Sequence, residues 1–375
     1  MKTTADVIVI GAGIVGSATA YYLAKRGASV IVLEADKDIC NGGSTRNGGG
    51  VRQSGRDPKE LPLMIWGVKN IWSHLSEELG VDTEYKQKGN LRLGKTKAHL
   101  ETLQKLTDNA VKQGLDVKMI SADEVKKINP YLSDEVIGAS WCTTDGHANP
   151  LTTSLGYYRA ARALGVEFIS SCPVAKINMI KGKVCGVSTL EQNFTSENVV
   201  VAAGYESRIL LEQCGINIPM RKVKLECLVT EAEPPMFEQM LGTAAADFYG
   251  HQTKHGSFVF GGHTGYEKYA EDFTTSISTS RFSSCASRGI MGYFPMLKNA
   301  KIVRSWAGFE DESSDMVATV SKIDEVPGLY AECGFTGHGF GIAPAAGSNI
   351  AKLIATGKSS ADISPLRYNR FETII

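Results

Sequence analysis

The sequence predicts an α/β protein in which a parallel-sheet domain is interrupted by segments of a second, antiparallel-sheet-rich α+β domain. Residues 5–10 (ADVIVI) are apolar and largely β-branched, which is typical of a strand buried on both faces. Similar strands followed by glycine turns recur near residues 200 and 330. The intervening pieces differ in type and include the alternating run at 90–94 and the β-rich stretch 220–305. We expect the first domain over 1–84, 141–219 and 305–375, and the second over 85–140 and 220–304.

The N-terminal elements form a complete βαβ unit. The strand at 5–10 leads through a glycine turn into a helix that runs to about Arg26, and a second strand covers Ser29 to Leu33. A glycine-rich loop follows at 41–50, and residues 60–80 carry apolar side chains at helical spacing.

The remaining elements follow from the same periodicities and from turn residues. In chain order we predict strand, helix and strand over 85–120, a short helix from Ser121 to Asn129, a helix over 151–164, a strand over 166–170, a hairpin that turns at 181–183, a strand over 199–204, a helix near 273–290, a strand over 328–333 and a helix from about Pro344 to Ala355.

The composition excludes several classes of protein. Forty Lys plus Arg balance forty Asp plus Glu, so nucleic acid is not expected as a partner. A hydrophobic fraction of 43% excludes a wholly disordered chain. The eight cysteines show no C-x-x-C spacing and no histidine at a metal-ligand distance. We therefore expect no metal site, and we expect buried thiols in a cytoplasmic protein.

One apolar stretch, Val7 to Ala24, resembles a membrane span or a signal segment. Gly11, Gly13 and Gly16 fall where a turn and a helix start are needed, which favours a buried strand, a turn and a buried helix instead. The sequence contains no other candidate, so we expect no membrane span.

The first motif is Gly11-x-Gly13-x-x-Gly16, with Glu34 at the end of the following strand. In this arrangement the glycines permit a tight turn, a close approach of the backbone to a pyrophosphate and packing of the helix on the sheet. The helix N-terminus favours an anion. A turn with coincidental glycines is the alternative, but strand, helix and acid all occur at the required spacing. The motif predicts Rossmann-like nucleotide binding, and Glu34 argues against the 2′-phosphate of NADP.

The second and third motifs are also glycine-rich. Residues 42–52 (GGSTRNGGGVR) suggest backbone wrapped around a ligand, or else a flexible surface loop, and the composition leaves both open. Residues 334–344 (GFTGHGFGIAP) open a helix whose N-terminus offers positive potential to a developing anion. His338 in that segment has an ordinary alternative as a hydrogen-bonded loop histidine.

Together these motifs resemble the glycine oxidase, sarcosine oxidase and D-amino-acid oxidase superfamily of FAD-dependent amine oxidoreductases. The resemblance covers essentially the whole chain, including VVVAAG at 199–204. The segments 43–52 and RSWAGFE at 304–310 look most like the catalytic β-subunits of heteromeric opine oxidase, hydrogen cyanide synthase and proline or hydroxyproline dehydrogenase. The resemblance implies a discontinuous Rossmann-like FAD-binding domain, a substrate domain and FAD as cofactor.

The resemblance also implies cofactor-binding residues in four groups. The pyrophosphate and adenosine ribose should be held by Gly11, Ala12, Gly13, Ile14, Gly16, Glu34 and Ala35. The phosphates and flavin should lie along Ser44, Thr45, Arg46, Gly48, Gly49 and Gly50. Val174 should present its backbone to adenine, and Ala203 and Gly204 should pass near the cofactor. The flavin pyrimidine should be flanked by Gly337, His338, Gly339, Phe340 and Gly341.

Two residues are implied as catalytic, Arg52 and His338. Arg52 matches a position that contacts a substrate carboxylate, and its alternative is a surface salt bridge. His338 lies at the turn expected to flank the flavin.

Several positions depart from the family pattern. Trp306 stands where some members tether flavin through cysteine, which implies non-covalent FAD. Val259 replaces an oxygen-activating lysine, which favours a dehydrogenase over an oxidase. Residues 313–318 lack the two prolines that are usual in that loop, and Gly341 replaces a carboxylate-binding lysine.

The function implied is oxidation of the C–N bond of an amino acid or N-substituted amino acid to an imine, by hydride transfer to flavin N5 and without a dedicated side-chain base. The chain would be the catalytic subunit of a heteromeric complex, and a partner subunit would carry FMN or an iron–sulfur centre. The alternatives are a stand-alone glycine or sarcosine oxidase that uses oxygen and a non-catalytic FAD-binding subunit. The roles of His251, His255 and His263 stay open.

Overall fold

The computed structural model describes residues 2–246, 248–262 and 276–371. Within these ranges the α-helices are α1 (Ile14–Ala24), α2 (Leu61–Asn70), α3 (Leu75–Leu79), α4 (Lys97–Lys112), α5 (Ala122–Ile128), α6 (Pro150–Ala163), α7 (Ser207–Glu212), α8 (Ser280–Tyr293) and α9 (Gly339–Thr356). The strands are β1 (Val7–Ile10), β2 (Val30–Leu33), β3 (Gly50–Val51), β4 (Asn90–Gly94), β5 (Val117–Ser121), β6 (Gly138–Cys142), β7 (Gly146–His147), β8 (Glu167–Ile169), β9 (Lys176–Ile180), β10 (Lys183–Ser188), β11 (Asn193–Thr195), β12 (Asn198–Val201), β13 (Met220–Ala232), β14 (Met240–Thr243), β15 (Tyr249–Gln252), β16 (Ser257–Gly262), β17 (Ile302–Ser313), β18 (Thr319–Lys322) and β19 (Leu329–Cys333).

The first sheet is six-stranded, with the order β18-β19-β12-β1-β2-β8. All its neighbours are parallel except the edge pair β18–β19. The four residues of β1 are buried, because helices or loops cover both faces of the sheet. This sheet with its helices confirms the α/β class and the Rossmann-like domain.

The second sheet is eight-stranded, with the order β17-β13-β16-β15-β14-β4-β6-β5. Its pairs are antiparallel except β4–β14. One face packs on α8 through an aromatic core that includes Phe258, Phe260 and Phe282. On the other face α4 covers β5 and β6, and the Thr107 and Ser140 hydroxyls lie 2.8 Å apart. The antiparallel-rich second domain is therefore confirmed as part of the fold class.

The exact division into domains stays a proposal. Strand β17 (Ile302–Ser313) pairs with β13 along almost its whole length, so it crosses the boundary that we placed between residues 304 and 305. Strand β6 (Gly138–Cys142) likewise crosses the boundary placed between residues 140 and 141.

Three helix predictions were wrong in detail. The helix predicted near 273–290 runs over Ser280–Tyr293 among the described residues. Residues 60–80 form α2 and α3 with a 3₁₀ turn at Trp72–His74 between them, because the Trp72 indole turns into the core and donates a hydrogen bond to the Gly341 carbonyl oxygen at 2.9 Å. The last helix begins at Gly339, five residues before Pro344. The left-handed φ of +72° at Gly337 turns the chain there, and Pro344 lies inside the helix.

The apolar stretch Val7–Ala24 forms β1, the glycine turn and α1, as predicted. Among the helices of the described ranges, none has the length and apolar character needed to cross a membrane. The eight cysteines are free, and five of them are buried.

Candidate cofactor and substrate site

The glycine turn between β1 and α1 leaves no space for side chains. Gly11 has φ +101°, and a Cβ on it would lie 2.4 Å from the Ala202 carbonyl oxygen. A Cβ on Gly16 would lie 2.0 Å from the Gly11 carbonyl oxygen. Ala203 is the residue after Ala202, and its N–H donates a hydrogen bond to the Ser207 hydroxyl at 2.9 Å. The glycine positions of this turn therefore present backbone alone, which allows a close approach to a phosphate.

Glu34 lies at this turn, as its spacing predicts. Its carboxylate accepts hydrogen bonds from the Ala12 N–H at 2.7 Å and the Asp36 N–H at 2.9 Å. Its neighbour Ala35 is exposed. Val174 is half-buried and precedes the hairpin strand β9 by two residues, near the point where the Cys172 N–H bonds to the Glu34 carbonyl oxygen at 2.8 Å.

Residues 42–52, which we call the cofactor loop, are tied to the rest of the protein. The Ser44 hydroxyl accepts a hydrogen bond from the Ile14 N–H at 2.9 Å, and Thr45 donates to the Cys40 carbonyl oxygen at 2.8 Å. Arg46 donates to the Asn41 side chain at 2.9 Å, to the Ala307 carbonyl oxygen at 3.3 Å and to Ser276. The loop is therefore packed against α1 and β17, and it is not the flexible surface loop that the composition also allowed.

The end of the cofactor loop pairs with a second segment. Gly50 and Val51 form β3, which is antiparallel to β7 and places Gly50 opposite His147. The Gly48 N–H donates to the Tyr249 hydroxyl at 3.3 Å. A Cβ on Gly49 would lie 2.2 Å from the Ala148 carbonyl oxygen. The contact with Tyr249 of β15 brings the loop to the second sheet, and β3 and β7 form a separate two-stranded sheet.

The turn that precedes α9, residues 334–338, meets the cofactor loop. A Cβ on Gly341 would lie 3.0 Å from the Gly50 carbonyl oxygen. A Cβ on Gly337 would lie 2.5 Å from the Glu310 carboxylate. His338 is the N-cap residue of α9, so the free N–H groups of its first turn, which includes Gly339 and Phe340, begin here. Gly204, by contrast, begins the 3₁₀ turn after β12, and a Cβ on it would meet nothing within 4 Å.

A buried cluster of Arg56, Glu60 and His338, the Glu60 cluster, holds this turn. Arg56 donates to Glu60 at 3.0 Å and to the His338 carbonyl oxygen at 3.2 Å, and His338 Nδ1 lies 3.2 Å from Glu60 Oε2. Burial opposes ionisation of Glu60, but the His338 ring and the Arg56 guanidinium lower its pKa to about 2. Burial lowers the pKa of His338 although the Glu60 carboxylate opposes this shift, and Nδ1 faces the carboxylate as the hydrogen-bond donor. The N–H of Ala318 also donates to Glu60, at 2.8 Å.

Besides Arg46, whose partners are neutral groups, two guanidinium groups near the cofactor loop have no acidic partner among the residues that the structure describes. Arg52 is half-buried just after β3, where Arg56 donates to its carbonyl oxygen at 2.6 Å. Arg92, on β4, packs against Gly55, where a Cβ would overlap its Nη1 atom at 1.4 Å. Burial, with repulsion from Arg52, lowers the pKa of Arg92 to about 10, which leaves it cationic at neutral pH. The surface salt bridge considered for Arg52 is thus not formed within the described ranges.

The carboxylate of Asp145, which interacts electrostatically with Arg92, is already engaged. Asp145 accepts hydrogen bonds from the Gln53 N–H at 2.6 Å, from the Ser54 N–H at 3.2 Å and from the Ser54 hydroxyl. The Asn90 amide also lies 3.5 Å from it. Asp145 therefore organises the backbone after Arg52 and is not an ion-pair partner of Arg52 or Arg92.

A cavity of about 520 Å³ lies beside the cofactor loop. It is lined by Val259 and Trp306, two of the positions that depart from the family pattern, together with Arg46 and Gly48. Its volume is within the usual range for a small-molecule site.

Two stacked histidines line the same cavity. The rings of His147 and His251 have centroids 3.8 Å apart. Burial lowers the pKa of His147 to about 4 and the pKa of His251 well below its ordinary value, so both rings are neutral at neutral pH. His251 Nδ1 is buried without a hydrogen-bond partner in the described chain. His255 is exposed in the turn between β15 and β16, and His263 lies outside the described residues.

Sequence reasoning missed four of these residues. Arg56 and Glu60 carried one available signal, an i,i+4 pair of opposite charge. Arg92 carried another, a cation in the middle of an alternating apolar strand. His147 carried none, because its position depends on the pairing of β3 with β7.

A family model described as FAD dependent oxidoreductase matches residues 6–353. The chain belongs to this family.

Individual relatives agree with this membership. The chain is 28% identical to sarcosine oxidase subunit beta of Arthrobacter sp. over 99% of its own length and 92% of the relative's. It is 27% identical to glycine oxidase of Bacillus subtilis (strain 168) over the full length of both chains. The crystal structure of L-proline dehydrogenase from P. horikoshii superimposes with a TM-score of 0.91 at 30% identity, covering 99% of each chain.

The residues of this family member fit FAD. The glycine turn before α1, with the Ser44 hydroxyl on the Ile14 N–H, can receive the pyrophosphate, and Glu34 stands beside it for the ribose. The cofactor loop and the turn before α9 meet at Gly50 and Gly341, where the chain offers backbone groups to a flavin. The role of each of these residues in binding stays a prediction.

Proposed function

We propose that the chain is an FAD-dependent dehydrogenase that oxidises the C–N bond of an amino acid or N-substituted amino acid to an imine. The observation that supports this most directly is the pair of guanidinium groups, Arg52 and Arg92, without an acidic partner in the described chain and close to the cofactor loop. Unpaired guanidinium groups in a partly enclosed position are suited to bind a carboxylate.

The protein's part is binding and orientation. The backbone of Gly11 to Gly16 and the hydroxyl of Ser44 hold the pyrophosphate, and the N-terminus of α9 stabilises negative charge on the ring. Bound FAD supplies, at N5, the acceptor for the hydride that leaves the substrate carbon. Trp306 offers no nucleophile for a covalent tether, so the cofactor is held non-covalently.

The substrate enters as a carboxylate bound by Arg52, with its amine uncharged. No side chain is required as a base, because the nitrogen lone pair assists loss of the hydride. The neutral rings of His147 and His251 line the adjoining cavity without adding charge there.

We further propose that the electrons leave through a partner subunit that carries FMN or an iron–sulfur centre. Val259 lies in the cavity where the oxygen-activating lysine of oxidases is expected, which favours an acceptor other than oxygen. The match to a sarcosine oxidase beta subunit supports a heteromeric complex. We keep a cytoplasmic location as part of the proposal, which the free cysteines support.

A second candidate is a stand-alone oxidase that uses oxygen, favoured by the match to glycine oxidase over the full length of both chains. A non-catalytic subunit is less well supported. The loop that lacks the usual prolines is held by Asp315, which accepts hydrogen bonds from the Val317 N–H at 3.2 Å and from Arg370 at 2.8 Å.

An anaerobic screen of amino acids and N-alkyl amino acids tests the proposal. We expect bleaching of the flavin absorbance with at least one carboxylate substrate, and slow or no peroxide formation when air is admitted to the isolated chain. Rapid peroxide formation would favour the oxidase. A flavin that stays oxidised with every substrate, in a chain that holds FAD, would favour the non-catalytic subunit.

A further inference from the structure

Strand β17 lies between the cofactor loop and the turn before α9. A Cβ on Gly43 would lie 2.7 Å from the Phe309 carbonyl oxygen, and a Cβ on Gly308 would lie 2.9 Å from the Arg46 Cβ. Further along the strand, the Glu310 carboxylate occupies the space beside Gly337, and a Cβ on Gly337 would lie 2.5 Å from it. One strand thus contacts both segments that are expected to hold the flavin.

The direction of the Glu310 side chain follows from the pleat. Residues 306, 308 and 310 of a strand point to the same face. Trp306 on this face lines the cavity, and Gly308 packs on Arg46 of the cofactor loop. Glu310 therefore projects from the face of β17 that is turned toward the cofactor site.

Glu310 makes no hydrogen bond and no ion pair with any residue that the structure describes. Its strand neighbours are acidic: Asp311 accepts a hydrogen bond from the Gly334 N–H at 2.7 Å, and Glu312 pairs with Arg221. Burial, with repulsion from these two carboxylates, raises the pKa of Glu310 to about 8.

The titratable groups on the neighbouring elements are bound elsewhere. Arg46 of the cofactor loop donates to Asn41 at 2.9 Å. His338 of the turn is paired with Glu60 at 3.2 Å. Lys222 of β13 binds Glu206 at 3.0 Å and lies over the Phe309 ring, 4.7 Å from its centroid. Within the described ranges, Glu310 is thus a carboxyl group without a countercharge, at the edge of the cofactor site.

We propose that the Glu310 carboxyl group lies against the ring of bound FAD and couples reduction of the flavin to the uptake of one proton. This inference rests on the proposed function, because it requires FAD in the site. A neutral acid donates a hydrogen bond to the ring, whereas a carboxylate opposes the arrival of electrons by Coulomb repulsion. When two electrons reduce the flavin, an ionised Glu310 takes up one proton from solvent, and an already protonated Glu310 takes up none.

The test is the midpoint potential of bound FAD, measured by spectroelectrochemical titration between about pH 6 and pH 10 in wild type and Glu310→Gln, since these limits bracket the titration of a buried carboxyl. In wild type, the midpoint potential should fall more steeply with rising pH once the pH exceeds the pKa of Glu310. The reason is that reduction by two electrons then takes up one additional proton. Glu310→Gln should lack this steeper segment. Glu312→Gln, which removes a charge two residues away, should keep the steeper segment and move it to lower pH, because the Glu312 carboxylate contributes to the raised pKa of Glu310.

The outcomes separate the inference from the proposed function. If Glu310→Gln binds FAD and shows the wild-type pH dependence, the inference is overturned and the proposed function stands. If wild type takes up no FAD, the proposed function fails and the inference with it. Should Glu310→Gln fail to fold, the oxidised flavin spectrum decides: a one-proton change in absorbance over the same pH range that is present in wild type and in Glu332→Gln supports the inference, and a spectrum independent of pH overturns it.

Discussion

His338 Nδ1 lies 3.2 Å from Glu60 Oε2, although 278 residues separate the two in the sequence. This contact fastens the turn before α9 to the segment that leads into α2. Because Arg56 donates to both Glu60 and the His338 carbonyl oxygen, the three groups hold one end of the expected flavin site by buried hydrogen bonds.

Removal of the Glu60 charge should destabilise the fold. Glu60 and Arg56 have almost no exposed side-chain surface, and breaking a buried pair costs about 3–5 kcal/mol. Thermal unfolding of Glu60→Gln at neutral pH should therefore show a lower Tm. Glu78→Gln breaks the more exposed pair with Lys25 and should cost at most about 1 kcal/mol.

The stability of Glu60→Gln relative to wild type should also depend on pH. The pKa of Glu60 is depressed to about 2, so its contribution to stability is complete above the ordinary pKa of about 4.3 and is lost as the pH falls through the folded value. The stability difference between wild type and Glu60→Gln should shrink as the pH is lowered from about 5 to about 2. A difference that is constant over this range would contradict the depressed pKa.

Glu332 should behave in the opposite way. It is buried in β19, it accepts a hydrogen bond from the Thr19 hydroxyl at 2.6 Å, and its Oε1 has no partner in the described chain. Burial raises its pKa to about 8, so the folded protein loses stability as the pH rises from the ordinary value of about 4.3 toward the folded value.

We therefore expect the Tm of Glu332→Gln to improve relative to wild type as the pH rises through that window. Glu197, which has 82% of its side chain exposed, provides the control, and Glu197→Gln should follow wild type at every pH. A Glu332→Gln curve that is parallel to the wild-type curve would show that Glu332 titrates normally.

Replacement of Gly337 by alanine should weaken FAD binding. The new Cβ would meet the Glu310 carboxylate at 2.5 Å, at a residue with φ +72°. Gly357 has nearly the same φ, +73°, with nothing within 4 Å, so Gly357→Ala carries only the conformational cost of about 1 kcal/mol. Fluorescence titration of the apoprotein with FAD should give a higher Kd for Gly337→Ala alone. Equal Kd values for the two variants would exclude a tight contact at Gly337.

Arg52→Ala should raise the KM for carboxylate substrates and leave FAD bound. A hydrogen bond to a charged group contributes about 1.5–3 kcal/mol, which corresponds to roughly a 10- to 150-fold change. Arg162→Ala, which removes an exposed cation beside Tyr158, should leave KM unchanged. An unchanged KM in Arg52→Ala would remove Arg52 from the substrate site. Arg92→Leu, measured beside it, shows whether the second guanidinium contributes.

Local sequence features were sufficient to predict those elements whose residues interact with near neighbours in the sequence. The capping box of α5 joins Ser121 to Glu124, and the 181–183 hairpin turns between β9 and β10, both as predicted. The start of α9 was misplaced because Pro344 marks a typical first turn, whereas the chain actually turns at Gly337.

The sequence by itself determined the βαβ unit, the glycine turn and the presence of Glu34 at its edge, because strand periodicity, glycine spacing and a βαβ unit of about thirty residues are local properties. Only the tertiary structure decided that Glu60 meets His338, that Glu310 projects beside Gly337 and that Arg92 remains without an acidic partner in the described chain. Those relationships depend on the order of strands in two sheets and on which residues of distant segments become buried together. Hydrophobic burial drives that assembly but is not directional, so a linear pattern of residues does not reveal its contacts.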